Sequence, residues 1–225
     1  MQKFDLKIKM KSNNEFFELS DLEKIGQGTI KNVYQHPFFA EKIIKVVKPE
    51  LVAEDGGFLK HGKIKRNLYQ GIYRQFRREI LQYLQLCKNH YQENNYIFPV
   101  EIPYGLVPTS AGLGLVTEKI TAEDGIGWTL EDLAKGPGLQ EKHQRALAQF
   151  FDDCVRLHIV FGEVNYAGLM YTERRSGRPE FVLVDGVGEK LLIPIRAMSA
   201  SISGRYVRQV QRKIQQQLNA IAAEK

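Results

Sequence analysis

The sequence predicts an α+β chain, with strands gathered in its first half and helices in its second. Three observations carry this reading. The runs Ile43-Ile44-Lys45-Val46-Val47 and Leu113-Gly114-Leu115-Val116-Thr117 have the composition of strands. Leu147, Phe150, Phe151, Cys154, Val155 and Leu157 recur at helical spacing. Between these textures, Asp124-Gly125-Ile126-Gly127 marks a turn. The chain therefore divides into a strand-rich part over residues 1–120 and a helical part over 121–225.

Taken in order, Phe17-Glu18-Leu19 gives the first strand signal, and Val33-Tyr34 follows the glycines of Ile25-Gly26-Gln27-Gly28. After the Ile43 to Val47 strand comes an insertion, 50–67. Gly56, Gly57 and Gly62 stand there beside Lys60, Lys63 and Lys65, which predicts a mobile basic loop. A helix is expected from Gln70 to Leu86, with Phe76, Ile80, Tyr83 and Leu84 inward and Arg74, Arg77, Arg78 and Gln82 elsewhere. A second helix spans Leu139 to Leu157 and a third Arg205 to Ala222. Two short strands, Gly168 to Tyr171 and Phe181 to Val184, lie between them.

With 225 residues, 43% hydrophobic and 26% charged, the composition is that of a soluble globular chain. The longest apolar run, near Phe181 to Val184, is far below the roughly 20 residues of a bilayer span, so no transmembrane segment is expected. Met1-Gln2-Lys3-Phe4-Asp5 carries no apolar signal, which points to the cytoplasm and to reduced Cys87 and Cys154. The net charge of +6 gathers in Lys60 to Arg78 and in Arg205 to Lys213. The first stretch is a candidate site for an anionic partner. Nucleic acid is not expected, because the aromatic-interleaved and zinc motifs of such modules are missing.

Four features bear on chemistry. Gly26 and Gly28 would let a backbone approach phosphates and donate N–H groups to them. Lys31 stands where a third glycine of a G-x-G-x-x-G-x-V pattern would fall, and Val33 completes that pattern. Lys45, a charge among β-branched residues, must reach either solvent, as an edge-strand lysine would, or a buried partner, and a phosphate or Glu79 of the helix that follows could be that partner. Asp185 directly follows an apolar strand and precedes Gly186, a placement suited to a magnesium ligand.

These residues resemble the YrbL-like family associated with the bacterial PhoP regulatory network, within the protein-kinase-like superfamily. The resemblance rests on Gly26-Gln27-Gly28 running to Val33-Tyr34-Gln35-His36-Pro37, on Ile44-Lys45-Val46-Val47 and Arg77-Arg78-Glu79-Ile80, and on Val184-Asp185-Gly186-Val187-Gly188-Glu189 leading to Leu192-Ile193-Pro194. It implies a two-lobed kinase-like fold, with a strand-rich N-lobe over 1–120, a short helical C-lobe over 121–225, and ATP and magnesium between them. On that plan Gly26 and Gly28 cover the nucleotide, and Val33 with an aliphatic near Ile44 packs on the adenine. Lys45 contacts phosphates and Glu79 orients it. Thr117-Glu118-Lys119 forms the hinge, and Asp185 holds magnesium.

The catalytic loop, aligned over His158 to Tyr171, departs from that plan. The position of the base falls on Glu163, and the second metal ligand falls on Gly168, which has no side chain to offer. Asn165 lies three residues too early to occupy the same place, although a shifted loop could bring its amide inward as a metal ligand. No Ala-Pro-Glu segment follows Asp185, so a docking platform for protein substrates is not expected. His158 reads as structural. Two functions fit. One is an ATP-dependent phosphotransferase acting on a small-molecule or envelope-related acceptor, with Glu163 as base. The other is a pseudokinase that binds nucleotide and regulates a partner protein through the Lys60 to Arg78 stretch.

Overall fold

The computed structural model describes residues 16–60, 71–189 and 194–223. Five strands, β1 (Lys24–Gln27), β2 (Lys31–Gln35), β3 (Lys42–Val47), β4 (Pro103–Thr109) and β5 (Gly112–Glu118), form an antiparallel sheet in the order β1-β2-β3-β5-β4. Strand alternation sorts β3 between two apolar clusters. Ile44 and Val46 pack with Phe17 and Val116 on one face. Val47 packs with Leu115, Ile72 and Phe76 on the other, under helix α1 (Arg74–Asn89). Lys45 therefore points to the helix side. Ile44, fully buried on the far face, is not placed to meet a ligand there.

The second half holds α2 (Leu130–Lys135), α3 (Glu141–Arg156), the hairpin of β6 (Leu169–Thr172) and β7 (Glu180–Leu183), the short α4 (Ile195–Met198) and α5 (Ala200–Ala223). Thr129 caps α2 by accepting from the Asp132 N–H, while the Asp132 carboxylate accepts from the Thr129 N–H. The stripe expected on α3 is the core: Leu147, Phe150, Phe151 and Cys154 are buried against Val207, Val210 and Ile214 of α5. That core also takes Leu86 of α1 with Phe98 and Val100, so packing crosses residue 120. No helix among the described residues is long and apolar enough to cross a membrane.

Three expectations change. Phe17 makes only a bridge to Thr109, and a 3-10 turn at Leu19–Asp21 replaces the strand. β4 was hidden by Pro103 and Pro108, which a strand tolerates because β4 lies at the sheet edge. On α1, Leu84 is exposed, whereas Gln82 is buried and accepts from the Val160 N–H. Of the insertion, 61–67 lies outside the described residues, including Lys63, Lys65 and Arg66. The described part is a set of tight turns, with Ala53 N–H donating to Gly57 and Ile72 N–H to Gly56.

Candidate functional site

The β2–β3 register builds the charged centre. Lys31 pairs across the strands with Val47, and Val33 pairs with Lys45, so Lys31, Val33 and Lys45 share the face that looks toward α1. Glu79 rises to that face from the buried side of α1. The expected Lys45–Glu79 pair does not form. Lys31 Nζ donates to Glu79 Oε1 at 2.8 Å and to Asp185 Oδ1 at 3.1 Å. Lys45 instead binds the carboxylate of Glu101 and donates to the Val184 carbonyl at 2.8 Å. Five ionisable groups thus share one centre, buried at Lys31, Lys45, Glu79 and Glu101 and open at Asp185, and one oxygen of Glu79, Oε2, has no partner among the described residues.

Burial opposes the Lys31 charge, but Glu79 and Asp185 overcome it and hold the ammonium above the ordinary lysine range. Partial burial raises the Asp185 carboxyl, yet Lys31 and Lys45 outweigh it and keep it below the ordinary aspartate range. Glu101 behaves oppositely: burial pushes it up to about 7, against the pull of Lys45. Its raised value means the folded chain keeps this proton where the unfolded chain has lost it. The Glu101 contribution to stability is therefore full at acidic pH and is lost as pH rises from about 4.5 to about 7. Urea unfolding of wild type against Glu101→Gln across this range is expected to show that loss in the wild type alone.

Asp185 stands where backbones meet closely. Gly162 and Glu163 N–H groups both donate to the Gly186 carbonyl, at 2.7 and 3.1 Å. Gly188 packs onto α1, where a Cβ would lie 2.9 Å from Arg78 Cβ. These contacts tie the Glu163 loop, the Asp185 turn and α1 together. The result is a cavity of about 870 Å³ lined by Gly28, Lys31, Glu79, Glu163, Asn165 and Asp185, among others.

Of the residues expected from sequence, Gly28, Glu79, Glu163, Asn165 and Asp185 meet at this cavity. Gly26, Val33, Lys45 and Glu118 do not line it. The Glu118 carboxylate is taken up by Arg175 and by the Ile102 N–H. Asn165 Oδ1 accepts from the Gly168 N–H at 3.0 Å, capping the turn that leads into β6. A Cβ on Gly168 would lie 3.7 Å from both Asn165 Oδ1 and Asp185 Cβ, so Gly168 packs between the two residues. Among the described residues, no group of three or more His, Cys, Asp or Glu is placed to hold a metal. His158 Nε2 bonds the Arg196 carbonyl at 2.8 Å, a structural contact.

Sequence reading missed Lys31 and Glu101 as members of the centre. For Lys31 a signal exists, because it alternates with Val33 and so must share a strand face with it. For Glu101, within Pro99-Val100-Glu101-Ile102-Pro103, no spacing points to Lys45. Arg196 was also missed. It is buried, donating to the Phe161 carbonyl and to Glu189, and so braces the loop that carries Glu163.

Comparison with curated proteins gives no match. The family described as PhoP regulatory network protein YrbL matches residues 17–219, nearly the whole chain. On that match the chain belongs to the YrbL family.

Proposed function

We propose that the cavity is a nucleotide-phosphate site on a two-lobed kinase plan, and that it passes the γ-phosphoryl of ATP to a small hydroxyl-bearing acceptor with magnesium as the metal. The observation that carries this is Lys31, held by Glu79 and Asp185 at the edge of a cavity that also contains Glu163. Lys31 takes the role that sequence alone gave to Lys45. An ammonium has three donors, and exchanging its Asp185 bond for phosphate oxygens would free that carboxylate while Glu79 keeps the side chain in place.

The residues fit the groups they would receive. Asp185 is held ionised, and its side chain is 57% exposed. Asn165 lines the same cavity, and its Oδ1 would have to leave the Gly168 N–H to serve as a second oxygen ligand. A Cβ on Gly28 would meet nothing closer than 3.9 Å, so packing within the chain does not require glycine there, whereas close approach of a phosphate does. Magnesium, when bound, neutralises phosphate charge. Glu163 accepts the proton of the acceptor hydroxyl as its oxygen bonds to the γ-phosphorus and the bond to ADP breaks.

The second reading, a nucleotide-binding regulator without transfer, is favoured by one observation: Gly168 offers no ligand, and Asn165 already spends its oxygen on the Gly168 N–H. Turnover separates the two. ATP consumption is expected in the wild type, with a loss of about 10²–10⁴-fold in Glu163→Gln and no change in the thermal stabilisation given by magnesium and ATP. Stabilisation without turnover in the wild type would select the regulator. Turnover untouched by Glu163→Gln would remove the assigned base.

A further inference from the structure

The fold brings together two basic stretches that are far apart in the chain. Arg78 of α1 and Arg212 and Lys213 of α5 line the same cavity as Glu163 and Asp185. Arg212 and Lys213 are exposed there, and none of the three cations makes an ion pair among the described residues. Arg78 is the more constrained. Its Cβ is pinned against Gly188, its Nε is buried without a partner, and burial together with Arg74 lowers its pKa.

The unpaired atoms on α1 are informative in kind. Among the described residues, Gln75 Oε1, Arg78 Nε and Glu79 Oε2 are all buried without hydrogen-bond partners, and all three residues line this cavity at positions i, i+3 and i+4 of one helix face. Glu79 is only 5% exposed. Buried polar atoms are normally satisfied. Two of these call for hydroxyl or amine donors, and the third calls for an anion.

We propose that the wall made by α1 and α5 binds a small polyhydroxylated phosphate monoester. Its phosphate is held by Arg78, Arg212 and Lys213, and its hydroxyls are received by Gln75 and Glu79. Three cations suit a dianionic group, and guanidinium groups can bind phosphate through paired N–H donors. The proposal rests on the phosphotransfer reading above for the ligand's role as acceptor, but binding itself can be tested without it.

Calorimetric titration of the full chain with glucose 6-phosphate, glycerol 3-phosphate, inorganic phosphate and unphosphorylated glucose tests this. At least one phosphate ester is expected to bind tighter than inorganic phosphate and at least about 10-fold tighter than glucose, since charge-assisted bonds exceed neutral ones. The exposed double substitution Arg212→Ala/Lys213→Ala is expected to weaken that binding by about 10- to 100-fold, leaving magnesium-ATP affinity within about twofold. Arg78→Gln is expected to weaken it as well. Failure of both esters, equal binding of ester and glucose, or unchanged binding in the double variant overturns the proposal. So does an equal loss of magnesium-ATP affinity, which would give these cations to the nucleotide. Ester binding in a chain that does not bind magnesium-ATP would instead refute the phosphotransfer reading and leave this one standing.

Discussion

Lys31→Met is expected to cost the fold about 3–5 kcal/mol, because it leaves the buried Glu79 carboxylate charged and unpaired. Lys31 and Glu79 are 6% and 5% exposed, so water cannot replace the lost partner. For a chain of this size the midpoint of thermal unfolding should fall by about 6–20 °C. The double variant Lys31→Met/Glu79→Leu is expected to recover much of that loss, since replacing a whole buried pair with apolar residues is often close to neutral. A double-mutant cycle measured by urea unfolding would give the coupling. Additive losses would show that the two side chains do not depend on each other.

Gly186→Ala is the second substitution with a large expected effect. Gly186 has φ +82°, and an added Cβ would lie 2.4 Å from the Glu163 carbonyl oxygen. Left-handed backbone strain and the forced shift together should cost about 2–4 kcal/mol, a fall of about 5–15 °C in the unfolding midpoint. The same shift would part the Asp185 turn from the Glu163 loop, so turnover should fall further than stability does. Gly28→Ala is the contrast. Its backbone is not left-handed and its Cβ has room, so stability should stay within about 0.5 kcal/mol, while nucleotide affinity drops because the loop can no longer approach phosphate closely.

Much of the fold could be read from local chemistry. β3 announced itself by β-branched composition, β5 by its apolar run, and α3 by a stripe that is core apart from the partly buried Val155. β4 did not, because proline argues against a strand unless the strand is known to be an edge, and that is a fact of topology. The misreading of α1 has a similar cause. Gln82 is buried to satisfy the Val160 N–H of a loop 78 residues away, and no helical periodicity encodes such a partner.

The site was legible in its residue types and less so in its pairings. Asp185 was visible from a strand end and the glycine after it, and Glu163 only from the resemblance that aligned its loop. Lys45 was expected to reach solvent, a phosphate or Glu79, whereas the sheet brings Glu101 to it and gives Glu79 to Lys31. Strand register decides this, since Lys31 and Lys45 lie on one face of adjacent strands. Charge and spacing alone cannot choose between two lysines that compete for one carboxylate.

The central claim is that Lys31 anchors nucleotide phosphates while Lys45 belongs to the internal pair with Glu101. Calorimetric titration of magnesium-ATP into wild type, Lys31→Arg and Lys45→Arg tests it directly, since each variant keeps its charge while changing the donor geometry. The account predicts binding in the wild type, a loss of about 10-fold or more in Lys31→Arg, and a change of less than about threefold in Lys45→Arg. Binding that is lost in Lys45→Arg and kept in Lys31→Arg, or that is missing from the wild type, would contradict it.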